Sequence, residues 1–201
     1  MHISEGVLAT PVLAGGAVLT AAGMGVALGK LKNEDIPKVG VLSAAFFVAG
    51  LIHVPVGVAS VHLVLNGLVG VILGWLCFPA VFVGLALQSI MFQYGGITAL
   101  GVNTFNMAVP ALVCYFLFGR IAARTSKKYV SSVTAFMAGS AGILLSGILV
   151  GLSLYLTGEA FLPAAKLVVA AHIPIMLIEG IITATCVTFL KKVKPELLSM
   201  T

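Results

Sequence analysis

Long apolar segments with almost no charged residues fill most of this chain, and they limit what it can fold into. Only 8% of the residues are charged, and the mean hydropathy is +1.18. A soluble domain carries about a quarter charged residues, because charge is needed to cover its surface in water. Lipid needs no such cover. We therefore predict one integral membrane domain over residues 1–201, an all-α, polytopic membrane helix bundle.

Apolar runs of about 17–25 residues predict roughly seven transmembrane helices. The predicted spans cover residues 7–29, 39–54, 60–77, 79–94, 104–122, 129–156 and 163–190. Little more than Phe78-Pro79 separates the third span from the fourth, so a bundle of about six spans remains an alternative. A loop rich in Gly and Asn is predicted from Gly95 to Asn103.

Lys and Arg residues cluster in three of the segments that follow or connect these spans. Cytoplasmic loops near helix ends hold the excess of Lys and Arg in membrane proteins. With seven spans, ten of the 11 basic residues lie on one side of the membrane, and only Lys166 lies on the other. We therefore predict an external N-terminus and a cytoplasmic C-terminus. The same distribution explains the net charge of +5 without any nucleic acid.

The chain opens with Met1-His2-Ile3-Ser4-Glu5-Gly6 and enters the first span without a visible signal peptide. We expect Met1 to be retained, because His2 is large, and to keep a free amine. This amine and the His2 amide nitrogen can close a five-membered chelate ring on a metal. The same amide and Nδ1 of His2 can close a six-membered ring. Three nitrogens in one plane suit Ni²⁺ or Cu²⁺.

A further imidazole would complete a square of nitrogens around such a metal. The chain has four histidines, His2, His53, His62 and His172, all predicted to lie at or toward the outer side. Polar residues inside membrane helices are costly and tend to mark function. His62 starts the third predicted span, with Asn66 one turn below it. Glu179 lies seven residues after His172, on the same helix face, and we predict a structural hydrogen-bond network there.

Four motifs of this sequence resemble the CbiM/NikM family, the membrane substrate-binding components of energy-coupling factor importers for cobalt and nickel. The most specific motif is the opening segment, residues 1–6. The others are Ser60-Val61-His62-Leu63-Val64-Leu65-Asn66-Gly67, the segment 95–107, and His172-Ile173-Pro174 with Glu179-Gly180. Together they extend the resemblance over nearly the whole chain.

This resemblance implies a seven-helix fold, in which one N-terminal helix is added to the six-helix core of these components. The N-terminus would fold back into the bundle from outside. Met1 would supply its amine, His2 its backbone and ring nitrogens, and His62 a ring nitrogen to the transported Ni²⁺ or Co²⁺. We expect no organic cofactor. Four polar residues could hydrogen-bond the ligand histidines or cap helices instead: Ser60, Asn66, Asn103 and Asn106.

The resemblance also implies that the protein lies in the inner (plasma) membrane of a prokaryote and works with several partner proteins. These are a transmembrane coupling subunit, two cytoplasmic ATPases and often a small accessory membrane protein. This chain has no GxxxxGK[ST] motif, so ATP hydrolysis is expected in the partners, and the chain itself is not expected to be an enzyme.

Three other functions compete with this one at the level of sequence. A binding component for an organic cofactor would want aromatic stacking groups, and the chain has only one Trp and four Tyr. An intramembrane zinc peptidase would need HExxH, which is absent. A channel or a scaffold would predict no tight metal binding. The choice between nickel and cobalt stays open.

Overall fold

The computed structural model describes residues 2–56 and 59–198, with side chains described outside residues 53–61. The α-helices of this part are α1 Thr10–Lys30, α2 Ile36–Ala49, α3 Asn66–Leu73, α4 Cys77–Phe92, α5 Leu100–Cys114, α6 Arg120–Arg124, α7 Lys128–Thr157, α8 Leu162–Ala171 and α9 Ile173–Val193. Two short strands, β1 His53–Val56 and β2 Ala59–His62, form an antiparallel hairpin between α2 and α3. The predicted helical membrane bundle is confirmed.

By length and composition alone, five helical stretches of the described part could cross a bilayer, and the second of them is interrupted by the turn at Gly74–Leu76. They are Thr10–Lys30, Asn66–Phe92, Leu100–Arg124, Lys128–Thr157 and Glu159–Val193. Their burial differs widely: 83% of the most apolar window of Asn66–Phe92 is buried within the protein, against 17% for Thr10–Lys30. The segment from α3 to α4 is therefore the centre of the bundle, and α1 presents most of its surface to lipid or to other chains.

Contacts between helices sort their ends into two groups. One group, here called the histidine end, comprises residues 2–9, 62–65, 93–100 and Thr157. There Thr98 N–H donates to Glu5 Oε1 at 3.3 Å, and Ala9 N–H donates to Thr157 Oγ1 at 3.4 Å. The other group, here called the basic end, comprises residues 30–38, 74–76, 120–131 and 190–194. There the Lys191 ammonium donates to the carbonyl oxygens of Ala122 and Thr125.

The chain reverses direction between α3 and α4. Gly74, with φ +53°, follows α3 and lies against the Tyr115 ring. A 3₁₀ turn, Gly74–Leu76, then leads into α4. This helix runs back toward the histidine end, where Gly95 lies beside Asn103. Glycine makes the close packing possible on the way, because a Cβ on Gly70 would clash with the Ala111 carbonyl oxygen.

Several predicted boundaries are wrong. The third span does not start at Ser60, because Ala59–His62 form a strand and the helix begins at Asn66. The break between the third and fourth spans lies at Gly74–Leu76 and not at Phe78-Pro79. Helix α5 begins at Leu100, so Asn103 lies on a helix and not in the preceding loop.

The last predicted span is divided in two at His172. Helix α8 ends at Ala171, and α9 begins at Ile173 with Pro174 in its first turn. Proline has no N–H to donate to the preceding turn, so the hydrogen-bond ladder stops there. The break places the His172 ring inside the bundle beside α7, where a Cβ added to Gly147 would lie 3.9 Å from the ring.

Candidate functional site: a buried histidine pair

Two imidazole rings from residues far apart in the sequence meet at the histidine end. The rings of His2 and His62 are stacked, with centroids 4.4 Å apart and planes 20° apart. Both residues are buried, at 3% and 2% exposure. The Tyr94 ring lies next to His2, with centroids 6.2 Å apart. Metal–imidazole bonds are about 2 Å long and lie in the plane of the ring, so two stacked rings at this separation have to turn toward each other to share one ion.

The local backbone fixes the protonation of His62. Its Nδ1 lies 2.6 Å from the carbonyl oxygen of Leu63, which can only accept, so Nδ1 carries the proton and Nε2 carries the lone pair. That Nε2 is buried and has no hydrogen-bond partner in the described part of the chain. Burial lowers the pKa of the ring well below its usual value, and the neighbouring His2 ring lowers it further. His62 is thus a neutral imidazole with an available nitrogen lone pair.

A buried carboxylate holds the backbone that follows His62. Glu179 of α9 is 0% exposed and accepts from Val64 N–H at 2.5 Å and from Leu65 N–H at 2.9 Å. Leu65 adopts a left-handed conformation, φ 56°, in which the strand ends and α3 begins. A non-glycine residue in this region is strained, and the two hydrogen bonds to Glu179 stabilise the turn. The predicted hydrogen-bond network at Glu179 is confirmed.

The N-terminal segment is fixed in a similar way, by a side chain that bonds its backbone on both sides. Ile3 N–H donates to Asn103 Oδ1 at 2.9 Å, and the Asn103 amide donates to Ile3 O at 3.1 Å. Ile3 is fully buried. This reciprocal pair has the geometry of one rung of a β-ladder and sets the depth at which His2 enters the bundle.

Two adjacent glycines lie against the N-terminal segment. Gly95 and Gly96 have φ of +80° and +93°. A Cβ on Gly95 would lie 3.3 Å from the Cβ of His2, and a Cβ on Gly96 would lie 2.6 Å from the Cβ of Glu5. Only glycine can adopt this backbone and still allow the N-terminal segment to lie against it.

Of the other predicted site residues, two bond to α7, and the side chains of two are not described by the structure. Met1 lies outside the described residues, and the side chain of Ser60 is not among those described. The Asn66 amide donates to Gly142 O and to Ser146 Oγ, which anchors the start of α3 to α7. The Asn106 amide donates to Ser153 Oγ at 3.0 Å, which joins α5 to α7.

The two other histidines also come to this region. In the hairpin, the backbone of His53 pairs with that of His62. His172 lies at the junction of α8 and α9 with 1% exposure, and α8 packs against both strands of the hairpin. In the described part of the chain, no three His, Cys, Asp or Glu side chains form a cluster that could hold a metal. A metal here would therefore need backbone nitrogen as well as imidazole.

Sequence reasoning missed Glu5, Tyr94 and the partner of Asn103. Nothing in the local sequence marks Tyr94 or Glu5, because their roles come from the approach of residues 2–6 to residues 94–98 in the fold. The left-handed glycines are signalled by the Gly95-Gly96 pair in the predicted loop.

Comparison with known proteins identifies the family. Residues 2–197 match the family model described as "Cobalt uptake substrate-specific transmembrane region", CbiM. The chain belongs to the CbiM family. A protein of Haemophilus influenzae named "Putative metal transport protein" is 43% identical over 100% of this chain and 98% of its own length.

Two further comparisons extend this result. A "Putative fused nickel transport protein NikMN" of Archaeoglobus fulgidus is 31% identical over 98% of this chain and 68% of its own length. A solved structure of a transition metal transporter has a TM-score of 0.76 and 27% identity, and it covers 96% of this chain and 93% of its own. This CbiM-family chain is therefore a membrane protein of the cobalt and nickel transport class.

Proposed function

We propose that this CbiM-family protein is the membrane-embedded substrate-binding subunit of an ATP-driven importer and captures Ni²⁺ or Co²⁺ at the His2–His62 pair. The observation that carries the proposal is the stacked, buried pair, in which Nε2 of His62 is available and Nδ1 is held by Leu63. Leaving a buried lone pair without a donor costs about 1–3 kcal/mol, which a bound cation would recover.

The proposed ligand set is four nitrogens. His62 gives Nε2, and His2 gives Nδ1 and its deprotonated backbone nitrogen. The amine of Met1 completes the set, because it is one residue away and can form a five-membered chelate ring with the His2 backbone nitrogen. A planar set of nitrogens favours Ni²⁺, and Co²⁺ is the second candidate. Asn103 and Glu179 act as positioning residues: they fix the backbones that carry the two histidines.

We further propose the assembly and orientation in which the subunit works. The histidine end faces outward and the basic end faces the cytoplasm of a prokaryotic cell, in accord with the Lys and Arg excess at the basic end. A transmembrane coupling subunit, two cytoplasmic ATPases and a small accessory membrane subunit complete the importer. The fused name of the Archaeoglobus relative supports an accessory N component. The weakly buried α1 offers surface for such contacts.

Titration of the purified protein in detergent with Ni²⁺ and Co²⁺ tests the proposal. We expect one ion per chain, and we expect His62→Ala or acetylation of the N-terminal amine to weaken binding at least 100-fold. Asn106→Ala, which removes a bond to Ser153 away from the pair, serves as the control and keeps the affinity. Unchanged affinity after both His62→Ala and acetylation, with the helix content intact, would falsify the ligand set.

A further inference from the structure

A pocket at the basic end is lined by lysines and hydroxyl groups. Its volume is about 430 Å³, and it lies between the segment that leads into α7 and the last turns of α9. Lys128, Lys191 and Lys192 line it, and the other lining residues that the structure describes, Thr188 among them, all carry hydroxyl groups. None of these residues is acidic. This pocket, here called the lysine pocket, is therefore a concentrated positive charge that suits an anion.

The three lysines of the lysine pocket are hydrogen-bonded to different degrees. Lys191 donates to three oxygen atoms between residues 122 and 131, so it contributes positive charge at a fixed position. Lys128 and Lys192 are exposed, and they form no ion pair within the described part of the chain. Two ammonium groups are thus available to bind an anion beside a third that is held in place.

A hydroxyl group in the lysine pocket lacks a partner. Oγ1 of Thr188 is buried and makes no hydrogen bond among the residues that the structure describes. Burying a hydroxyl without a partner is unfavourable, because its hydrogen bonds to water are lost. An anion with oxygen atoms, held between the lysines, would accept the proton of this hydroxyl.

A second pocket at the same end has a different charge pattern. Its volume is about 420 Å³, and its lining includes Lys30, Lys32 and Arg120 together with Glu34 and Asp35. Nζ of Lys32 lies 3.7 Å from Oε1 of Glu34. The basic residues of this second pocket are therefore partly balanced by acidic ones, whereas those of the lysine pocket are not. The two pockets form a matched pair for experiment.

The face of α9 that carries the pocket residues continues as an apolar surface along the helix. Leu177 and Ile181 lie three and two turns before Thr188 on the same helix face. Their exposed fractions are 58% and 59%. A free phosphate ion would gain nothing from this surface, but the acyl chain of a phospholipid would lie against it. Long basic side chains at the ends of membrane helices extend to the headgroup layer in the same way.

We propose that the lysine pocket binds the headgroup phosphate of an anionic phospholipid, whose acyl chains lie along the apolar face of α9. Lys128 and Lys192 bind the phosphate oxygens, Thr188 donates a hydrogen bond to one of them, and Lys191 adds charge. Basic pockets between membrane helices on the cytoplasmic side are suited to such headgroups. This site goes beyond metal capture and uses none of the residues of the histidine pair.

Titration of the purified protein with phosphatidylglycerol in a neutral detergent, followed by native mass spectrometry, tests the proposal. Lys128→Gln/Lys192→Gln is compared with Lys30→Gln/Lys32→Gln, which removes the same number of charges from the second pocket. We expect the first variant to bind about 30-fold more weakly than wild type, because each basic residue close to an anionic lipid contributes a factor of about five. The second variant should stay within about threefold, since its lysines do not line the lysine pocket. Equal losses in the two variants would overturn the proposal.

Two other probes distinguish a lipid from a free anion. Phosphatidylcholine with the same acyl chains carries a phosphate but no net charge, and we expect it to bind about tenfold more weakly than phosphatidylglycerol. Inorganic phosphate lacks the acyl chains and should not compete. Equal binding of the two lipids, or displacement of phosphatidylglycerol by an equal concentration of phosphate, would contradict a site for an anionic phospholipid.

A change without any loss of charge tests the same site. Thr188→Val keeps the size of the side chain and removes its hydroxyl, so we expect phosphatidylglycerol binding to weaken about tenfold. Thr185→Val, at an exposed position of α9 outside the pocket, is the control and should bind as wild type does. Equal binding by these two variants would argue against a bound phosphate at Thr188.

Thermal unfolding without added lipid shows whether each variant is folded. We expect the two lysine double variants to melt as wild type does, because exposed charges contribute little to stability. If Lys128→Gln/Lys192→Gln does not fold, the comparison of Thr188→Val with Thr185→Val decides. Ni²⁺ affinity should be unchanged in all these variants, so failure of the lipid site and failure of the proposed metal site give different results.

Discussion

Two side chains at the two ends of the bundle differ in how fully they are hydrogen-bonded: Lys191 at the basic end and His62 at the histidine end. At the basic end, the Lys191 ammonium donates to Ala122 O, Thr125 O and Ser131 Oγ at 2.9, 2.6 and 3.1 Å. Its three protons therefore all have acceptors. At the histidine end, Nε2 of His62 is left without a donor in the described part of the chain. The Lys191 ammonium is fully hydrogen-bonded, whereas the His62 ring keeps one nitrogen lone pair without a donor.

The polar side chains next to the histidines bond to backbone atoms and not to the imidazole rings. Asn103 and Glu179 bond to backbone atoms next to the histidines, at Ile3 and at Val64 and Leu65. The rings are therefore positioned through the chain that carries them. A network that bonded the ring nitrogens directly would occupy the lone pairs a cation needs. The proposed site is thus held through hydrogen bonds to the backbone, while Nε2 of His62 keeps its lone pair available.

The largest expected effect comes from removing the carboxylate at the histidine end. Glu179→Ala leaves the buried N–H groups of Val64 and Leu65 without acceptors, which costs about 3 kcal/mol of folding free energy. The turn at Leu65 is expected to relax and to carry His62 out of place. We expect a lower melting temperature and a loss of Ni²⁺ binding, measured by thermal unfolding and titration. A variant with wild-type affinity would show that Glu179 does not position His62.

A matched pair on α5 gives a smaller and sharper effect. Asn103→Ala removes both bonds to Ile3, and Asn106→Ala removes the bond to Ser153, one turn further along the same helix. Each change is expected to cost about 1–2 kcal/mol of stability. Only Asn103→Ala should weaken Ni²⁺ binding, by about tenfold, because only Asn103 holds the N-terminal segment. Equal affinities in the two variants would contradict a positioning role for Asn103.

The sequence predicts the helices well, because hydropathy is a local property of the chain. It fails at residues 59–62, because a short apolar run is compatible with a strand and with the start of a helix. It also misses the reversal at Gly74, where the left-handed backbone is set by packing against Tyr115. At both places, contacts with distant parts of the chain determine the local backbone structure.

For the candidate site, the sequence alone offers four histidines and a chelating N-terminus without saying which histidines meet. The choice of His62 comes from family resemblance, and its contact with His2 joins residues 60 positions apart in the chain. The roles of Asn103 and Glu179 depend on backbone partners 100 and 115 residues away. The spacing of residues along the sequence does not predict contacts between positions so far apart.

The smallest expected effect on binding comes from the basic end. Lys191→Met keeps the length of the side chain but removes the donor to Ala122, Thr125 and Ser131, which costs about 1–2 kcal/mol. We expect a lower melting temperature with Ni²⁺ affinity within about twofold of wild type, because the hydrogen bonds of Lys191 involve no residue of the histidine pair. Lys192→Met, at the next position of α9, is the control and should leave both quantities unchanged, since single surface charges contribute little. A large loss of affinity in Lys191→Met would mean that the two ends are energetically coupled, and that Lys191 and the histidine pair do not belong to independent parts of the bundle.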